Sequence, residues 1–179
     1  FLATLLRFES FRRIAMLNLS LFKHVVIAAA VLLPACFANA PEYKSGDLEI
    51  AHPWSQELPP NAPTVAAYFI IHNTGNTADR LVSVDTPIAD KAELHQHIME
   101  GDLMKMLPVA SVEVPPGGAV TFAPMAYHVM MFGLKDRSLL QDGKHFPLTL
   151  HFEKAGAVPV QVNVQKQAPA DSMEHMHAH

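Results

Sequence analysis

The chain has 179 residues, half of them hydrophobic, with 13 Lys and Arg against 17 Asp and Glu and a formal net charge of −4. From residue 41 onward, 9 basic side chains face 16 acidic ones, a net charge of −7. This balance argues against nucleic acid as a partner, because binding to phosphates needs clustered Lys and Arg.

The first 40 residues have the pattern of an export signal. Lys23 precedes an apolar run from Val25 to Leu33, and the small residues Ala38-Asn39-Ala40 follow. A basic start, a short apolar run and a small-residue cleavage box are typical of a secretory signal peptide. The run is too short to span a bilayer. We therefore predict that residues 1–40 are a signal peptide and that the protein is periplasmic.

Two details of this segment leave alternatives open. Residues 1–15 precede Met16, a plausible start, so in one interpretation they are untranslated or result from a mis-set start. Cys36 within "LPAC" offers a lipoprotein-type cut as the minor alternative to cleavage after Ala40. Cys36 is also the only cysteine, so no disulfide can stabilise the exported domain and its core must do so.

From residue 47 onward, short β-branched and aromatic runs alternate with turn signals, and no helical period is sustained. The predicted strand segments are 48–55, 64–73, 80–87, 91–99, 102–114, 119–124, 127–134, 145–156 and 158–166. Seven to nine strands in about 120 residues predict an all-β, Greek-key antiparallel β-sandwich. We place this domain at residues 41–167 and a flexible His- and Met-rich tail at 168–179.

The segment "ELHQHIMEGDLMKM" (93–106) collects two histidines and three methionines. Successive residues of a strand face opposite sides. Leu94 and Ile98 therefore share a core face, and His95, His97 and Met99 share the other.

A hairpin would bring more of these side chains together. If Glu100-Gly101 is a two-residue turn, His95 lies opposite Met106 and His97 opposite Met104. Opposed side chains sit about 5 Å apart at Cβ, close enough to reach one ion. His97 and Met104 would form a secondary rung beside the first.

A later strand repeats the mixture, since His128 and Met130 share a face two residues apart. Imidazole and thioether ligands suit a soft ion, and copper(I) is the leading candidate. Magnesium and calcium take oxygen ligands, and structural zinc prefers thiolate and imidazole. The alternative is that strand methionines such as Met99, Met125 and Met131 only fill the core.

The end of the chain, "MEHMHAH", holds three histidines and two methionines in seven residues. The pattern predicts metal capture, with inert disorder as the alternative. Nitrogen ligands on a flexible segment would also suit copper(II). The candidate tail ligands are Met173, His175, Met176, His177 and His179.

The spacing of four residues matches a known signature. His95, ten residues, Met106, twenty-one residues, His128, one residue and Met130 resemble the motif of the periplasmic PCuAC copper chaperones. The flanking text, for example "AAYFIIHNTGNTADRLVSV" and "VPPGGAVTFAPMAYHVMMFGL", is similar too. The resemblance covers roughly residues 47–166.

The resemblance implies a cupredoxin-like sandwich that binds one copper(I) through the four motif residues. It also implies, as partners, the CuA domain of cytochrome c oxidase subunit II and a thiol-bearing Sco-type chaperone. Similar proteins with a His- and Met-rich tail hold a second copper, often copper(II). Two departures are Leu107, where the family commonly has a basic residue, and "PMAYH", which lacks the glycines often seen before that histidine.

The ligand pattern predicts a monomeric copper(I)-binding protein, and the resemblance implies a chaperone that delivers copper to the CuA centre. The alternative is a periplasmic copper buffer serving metal tolerance. A blue-copper electron carrier needs a cysteine thiolate, which residues 41–179 lack. Nothing in the sequence supports an enzyme, and we predict none.

Overall fold

The computed structural model describes residues 43–169. The predicted signal peptide and tail residues 170–179 lie outside this range. No helix within it is both long and apolar enough to cross a membrane. The eleven strands are β1 Tyr43–Ser45, β2 Leu48–Gln56, β3 Thr64–Asn73, β4 Asp79–Asp85, β5 Ala89–Glu100, β6 Leu103–Pro108, β7 Val112–Val114, β8 Ala119–Phe122, β9 Tyr127–Leu134, β10 His145–Phe152 and β11 Gly156–Gln165.

The predicted fold class is confirmed: residues 43–169 are all-β, with no helix. The strands form one sheet in the order β6-β5-β9-β8-β3-β2-β11-β10-β4-β7, with β1 pairing β2 and β9 also pairing β3. Most pairings are antiparallel, but β2 with β11 and β8 with β9 run parallel, so the sheet is mixed. All eleven strands lie within residues 41–167, which we therefore expect to fold without the tail.

Most strands of this sheet contribute to a single hydrophobic core, because their alternate residues point inward. β10 and β11 bury every second side chain, and Phe69 of β3 stacks on Phe122 of β8 at 4.4 Å between ring centroids. Leu94, Val129 and Met131 extend this core under β5 and β9. The core-filler prediction therefore fits Met131, which is fully buried, but not Met99 or Met125, which are exposed.

Asp79, at the start of β4, joins two distant parts of the fold. Its carboxylate accepts hydrogen bonds from the backbone N–H groups of Arg80 (2.7 Å), Lys154 (2.9 Å) and Ala155 (2.9 Å). Burial alone would raise the pKa of this carboxyl. The three N–H donors, aided by the Lys154 charge, outweigh burial and hold the pKa of Asp79 below its ordinary value of 3.8.

The first prediction concerns this carboxylate. Asp79→Asn should lower the free energy of unfolding by about 1–3 kcal/mol at pH 7, because it leaves a buried backbone donor without its partner. A lowered folded-state pKa stabilises above the unfolded pKa and loses its effect as pH falls. The gap between the two proteins should therefore narrow below the ordinary value of 3.8.

Urea denaturation at several pH values measures this gap. Asp90→Asn is the control, because Asp90 forms an exposed ion pair with Lys135 and should contribute at most about 1 kcal/mol. Equal losses in the two variants would contradict the role assigned to Asp79.

The second prediction separates two adjacent methionines of β9. Met131→Ala should cost about 2–5 kcal/mol, because it empties a fully buried position. Met130→Ala should cost clearly less, since Met130 is half-buried on the opposite face. Thermal or urea unfolding measures both, and a larger loss for Met130 would show that its thioether is a core group.

Candidate metal site

Three neighbouring strands present the predicted ligands on one face of the sheet. β5 runs between β6 and β9, and opposed residues share a face. His95 lies opposite His128, and Glu93 lies opposite Met130. Toward β6, His97 lies opposite Met106. All four motif residues thus lie on one face of the sheet, and His97 lies on the same face.

The predicted hairpin register is wrong by two residues. Glu100 pairs with Leu103, so the two-residue turn is Gly101-Asp102 rather than Glu100-Gly101. Gly101 has φ 63°, a left-handed conformation that glycine adopts without steric cost. The hairpin turns that match strand twist need such a residue at their first central position, and this requirement sets the register.

The corrected register changes the partners of the histidines. His95 lies opposite Pro108, not Met106, and Met104 lies opposite Met99, not His97. The secondary rung of His97 and Met104 is therefore not formed. A shift of two residues preserves the face of every side chain, so the predicted donors still point to the same side.

Three imidazole rings cluster on this face. The ring centroids of His97 and His128 are 5.0 Å apart with planes 29° from parallel. Those of His95 and His128 are 5.8 Å apart at 49°. The aromatic row continues across the sheet, with Tyr68 at 6.5 Å from His128 and Trp54 at 4.7 Å from Tyr68.

Hydrogen bonds fix which ring nitrogens carry lone pairs. Nδ1–H of His128 donates to the Ala126 carbonyl at 3.1 Å, which leaves Nε2 of the neutral ring as a free lone pair. Nε2–H of His95 donates to the Glu93 carboxylate at 3.3 Å, which leaves Nδ1 free. A hydrogen bond from the far nitrogen is the usual way in which proteins orient a metal-binding histidine.

Those free nitrogens are buried and have no partner. In residues 43–169, four buried side-chain nitrogen or oxygen atoms lack a hydrogen bond, and three of them are Nδ1 of His95, Nδ1 of His97 and Nε2 of His128. An unpaired buried polar atom costs about 1–3 kcal/mol. Three such nitrogens on one face fit a site at which a bound ligand supplies their missing partner.

The electrostatics favour neutral imidazole at the centre of the cluster. Burial lowers the pKa of His128, and positive charge on His97 or His95 would lower it further, against the opposing effect of the Ala126 carbonyl. The Lys91 ammonium and then His95 lower the pKa of Glu93, which stays an anion beside the site. Neutral imidazole is the form that binds metals.

The thioethers are more accessible than the imidazoles. Met106 is 42% exposed on the edge strand β6, while His95 is 8% and His128 2% exposed. Within residues 43–169, no group of three or more His, Cys, Asp or Glu side chains is placed to hold a metal ion. The donor set that fits a metal here consists of imidazoles together with thioethers.

The loop before β9 contains a strained residue. Met125 has φ 68°, in the left-handed region that glycine adopts without steric cost. A non-glycine residue there costs roughly 1–2 kcal/mol. The loop is held by hydrogen bonds between Ala123 and Ala126 and between Ala123 and Tyr127. It also aims the Ala126 carbonyl at His128.

Sequence reasoning missed two groups that orient the ligands. Glu93 lies two residues before His95, and the alternation used for His97 could have placed it on the same face. The Ala126 carbonyl carries no residue-type signal. The predicted tail ligands, Met173, His175, Met176, His177 and His179, lie outside the described residues.

Comparisons with known proteins agree with this fold. The PCuAC domain of PmoF1, in its apo form, is 32% identical with a TM-score of 0.61, covering 72% of this chain and 100% of that domain. The copper-bound PCuAC domain of PmoF2 is 25% identical, TM-score 0.62, with the same coverage. CuI-DR1885 from Deinococcus radiodurans is 26% identical, TM-score 0.51, covering 74% and 84%.

No curated protein matches the chain. A family model described as "Putative lipoprotein LpqE-like" matches residues 48–164, nearly the whole described domain. The resemblance to PCuAC domains is thereby confirmed, and the chain belongs to the LpqE-like, PCuAC family.

Proposed function

We propose that the chain is a periplasmic copper(I) chaperone whose cargo is held by His95, Met106, His128 and Met130. The observation that carries the proposal is the pair of buried, unpartnered imidazole lone pairs on His95 and His128 beside two thioethers on one face. The copper in the PmoF2 domain and in DR1885, two proteins of this fold, supports the choice of metal.

The chemistry of the donors favours copper(I) over other ions. Two thioethers and two imidazoles are soft or borderline, neutral ligands, and they match a singly charged soft ion. Zinc seldom takes thioether ligands. Calcium and magnesium need several oxygen ligands, and within residues 43–169 no group of three or more His, Cys, Asp or Glu side chains is placed to supply them.

The exposure of Met106 suits a carrier that must give its cargo away. The two imidazoles are buried and fixed by hydrogen bonds, whereas Met106 lies on an edge strand open to solvent. An incoming thiolate could replace this thioether first while the histidines keep hold of the ion. Transfer to a dithiolate acceptor would be favourable because thiolates bind copper(I) more strongly than thioethers.

The resemblance to the PCuAC chaperones implies two partners, the CuA domain of cytochrome c oxidase subunit II as acceptor and a Sco-type thiol chaperone. Export is supported by the signal pattern of residues 1–40 and by the family's description as a putative lipoprotein. Lipidation at Cys36 remains the minor alternative to cleavage after Ala40. The tail would hold a second ion, copper(II), through the donors of residues 173–179.

The third prediction tests the ligands. In residues 41–167, one copper(I) should bind tightly in anaerobic competition with a chromophoric chelator. Met106→Leu should weaken binding by at least about tenfold, or 1.4 kcal/mol. Met104→Leu is the matched control, because Met104 has similar exposure on the same strand but lies opposite Met99 rather than a histidine.

Affinity within about threefold of the unsubstituted domain is expected for the control. Trp54, the single tryptophan, supplies a second readout through its fluorescence, because its ring packs beside Tyr68, which in turn lies beside His128. If Met106→Leu competes as well as the unsubstituted domain, the four-ligand site is wrong.

The fourth prediction separates a chaperone from a copper buffer. A chaperone should pass copper(I) to a purified CuA domain at a rate that rises with the concentration of that domain, because ligands exchange within a complex. A buffer should release copper at a rate independent of the acceptor. Stopped-flow transfer, with chelator-bound copper(I) at the same free-ion concentration as control, distinguishes the two.

A further inference from the structure

We infer that His97 supplies a third imidazole with which the same face binds copper(II), in addition to copper(I). The inference deepens the proposed function and rests on it. His97 belongs to none of the four motif positions. The structure nevertheless brings it closer to His128 than His95 is, at 5.0 Å against 5.8 Å between ring centroids.

The corrected register is what places His97 inside the site. His97 lies directly opposite Met106 on one side. On the other side its backbone N–H donates to the Ala126 carbonyl at 3.2 Å. The same carbonyl accepts Nδ1–H of His128 at 3.1 Å. The Ala126 carbonyl oxygen thus holds both histidines in place. His97 therefore lies between the thioether of Met106 and the imidazole of His128.

The ring of His97 also has an unused donor atom. Nδ1 of His97 is buried without a partner, as are Nδ1 of His95 and Nε2 of His128. The motif residues account for two of these three nitrogens. The third remains an unpaired buried acceptor or donor unless an ion or another group binds it, which is an unfavourable state for a polar atom.

Three imidazoles and two thioethers exceed what one copper(I) ion needs. Copper(II) favours nitrogen and oxygen ligands in tetragonal geometry, whereas copper(I) accepts thioethers. We assign His95, His128 and the two thioethers to copper(I). We assign His95, His97 and His128 to copper(II). Neither ion changes its oxidation state on binding. As placed, the three rings do not converge on one point, so binding requires rotation about their side-chain torsions.

The experiment adds copper(II) or, anaerobically, copper(I) to residues 41–167, which lack the competing tail donors. Pulsed EPR counts the imidazoles bound to copper(II), and chelator competition gives both affinities. We expect three imidazoles in the unsubstituted domain and two in His97→Gln. The ratio of copper(II) to copper(I) affinity should fall at least about tenfold in the variant.

His145→Gln is the control, because His145 is exposed on β10, away from β5 and β9. His97→Met is a second variant in case glutamine impairs folding, and it should lower the same ratio. An unchanged imidazole count, or equal weakening of both ions, would overturn the role of His97. Failure of the unsubstituted domain to bind copper(I) would instead remove the proposed function itself.

Discussion

The pairing of β5 with β9 is the constraint on which the rest of the site depends. It sets His95 against His128 and Glu93 against Met130 on one face. The same pairing sets Leu94 against Val129 on the other face, inside the core. Because both faces are specified by one register, a slip of one residue would turn the donors toward the core and the core side chains toward the site. The stability of the fold therefore also fixes the geometry of the site.

The site combines a rigid part with an accessible part. The buried imidazoles of His95 and His128 are held by the Glu93 carboxylate and the Ala126 carbonyl, which determine the free nitrogen of each ring. The thioether of Met106 comes from an edge strand whose residues are all exposed. Edge strands invite pairing with other chains, and here Pro108 and the Lys105–Glu100 ion pair limit that risk. This strand also leaves a face open to a protein partner.

The loop before β9 connects backbone strain to metal chemistry. Met125 occupies a left-handed conformation at a cost, and the loop it completes presents the Ala126 carbonyl to His128 and to the backbone of His97. That hydrogen bond decides which nitrogen of His128 is free. Ala126, which has no metal-binding side chain, thus determines through its carbonyl which nitrogen of His128 faces the site. Such local strain is tolerated where the surrounding strands hold the loop in place.

The sequence by itself determined the all-β class and the faces of the His and Met residues, because strand alternation is a local property. It also determined the family motif, because the motif is a spacing along the chain. It did not determine the hairpin register, since the turn depended on where Gly101 could take a positive φ. Nor could it pair His95 with His128, which are brought together by the choice of β9 as a partner for β5. The proximity of His97 to His128 and the free ring nitrogens follow from that pairing. Only the tertiary structure decided these contacts, because they join residues about thirty positions apart through backbone hydrogen bonds that carry no residue-type signal.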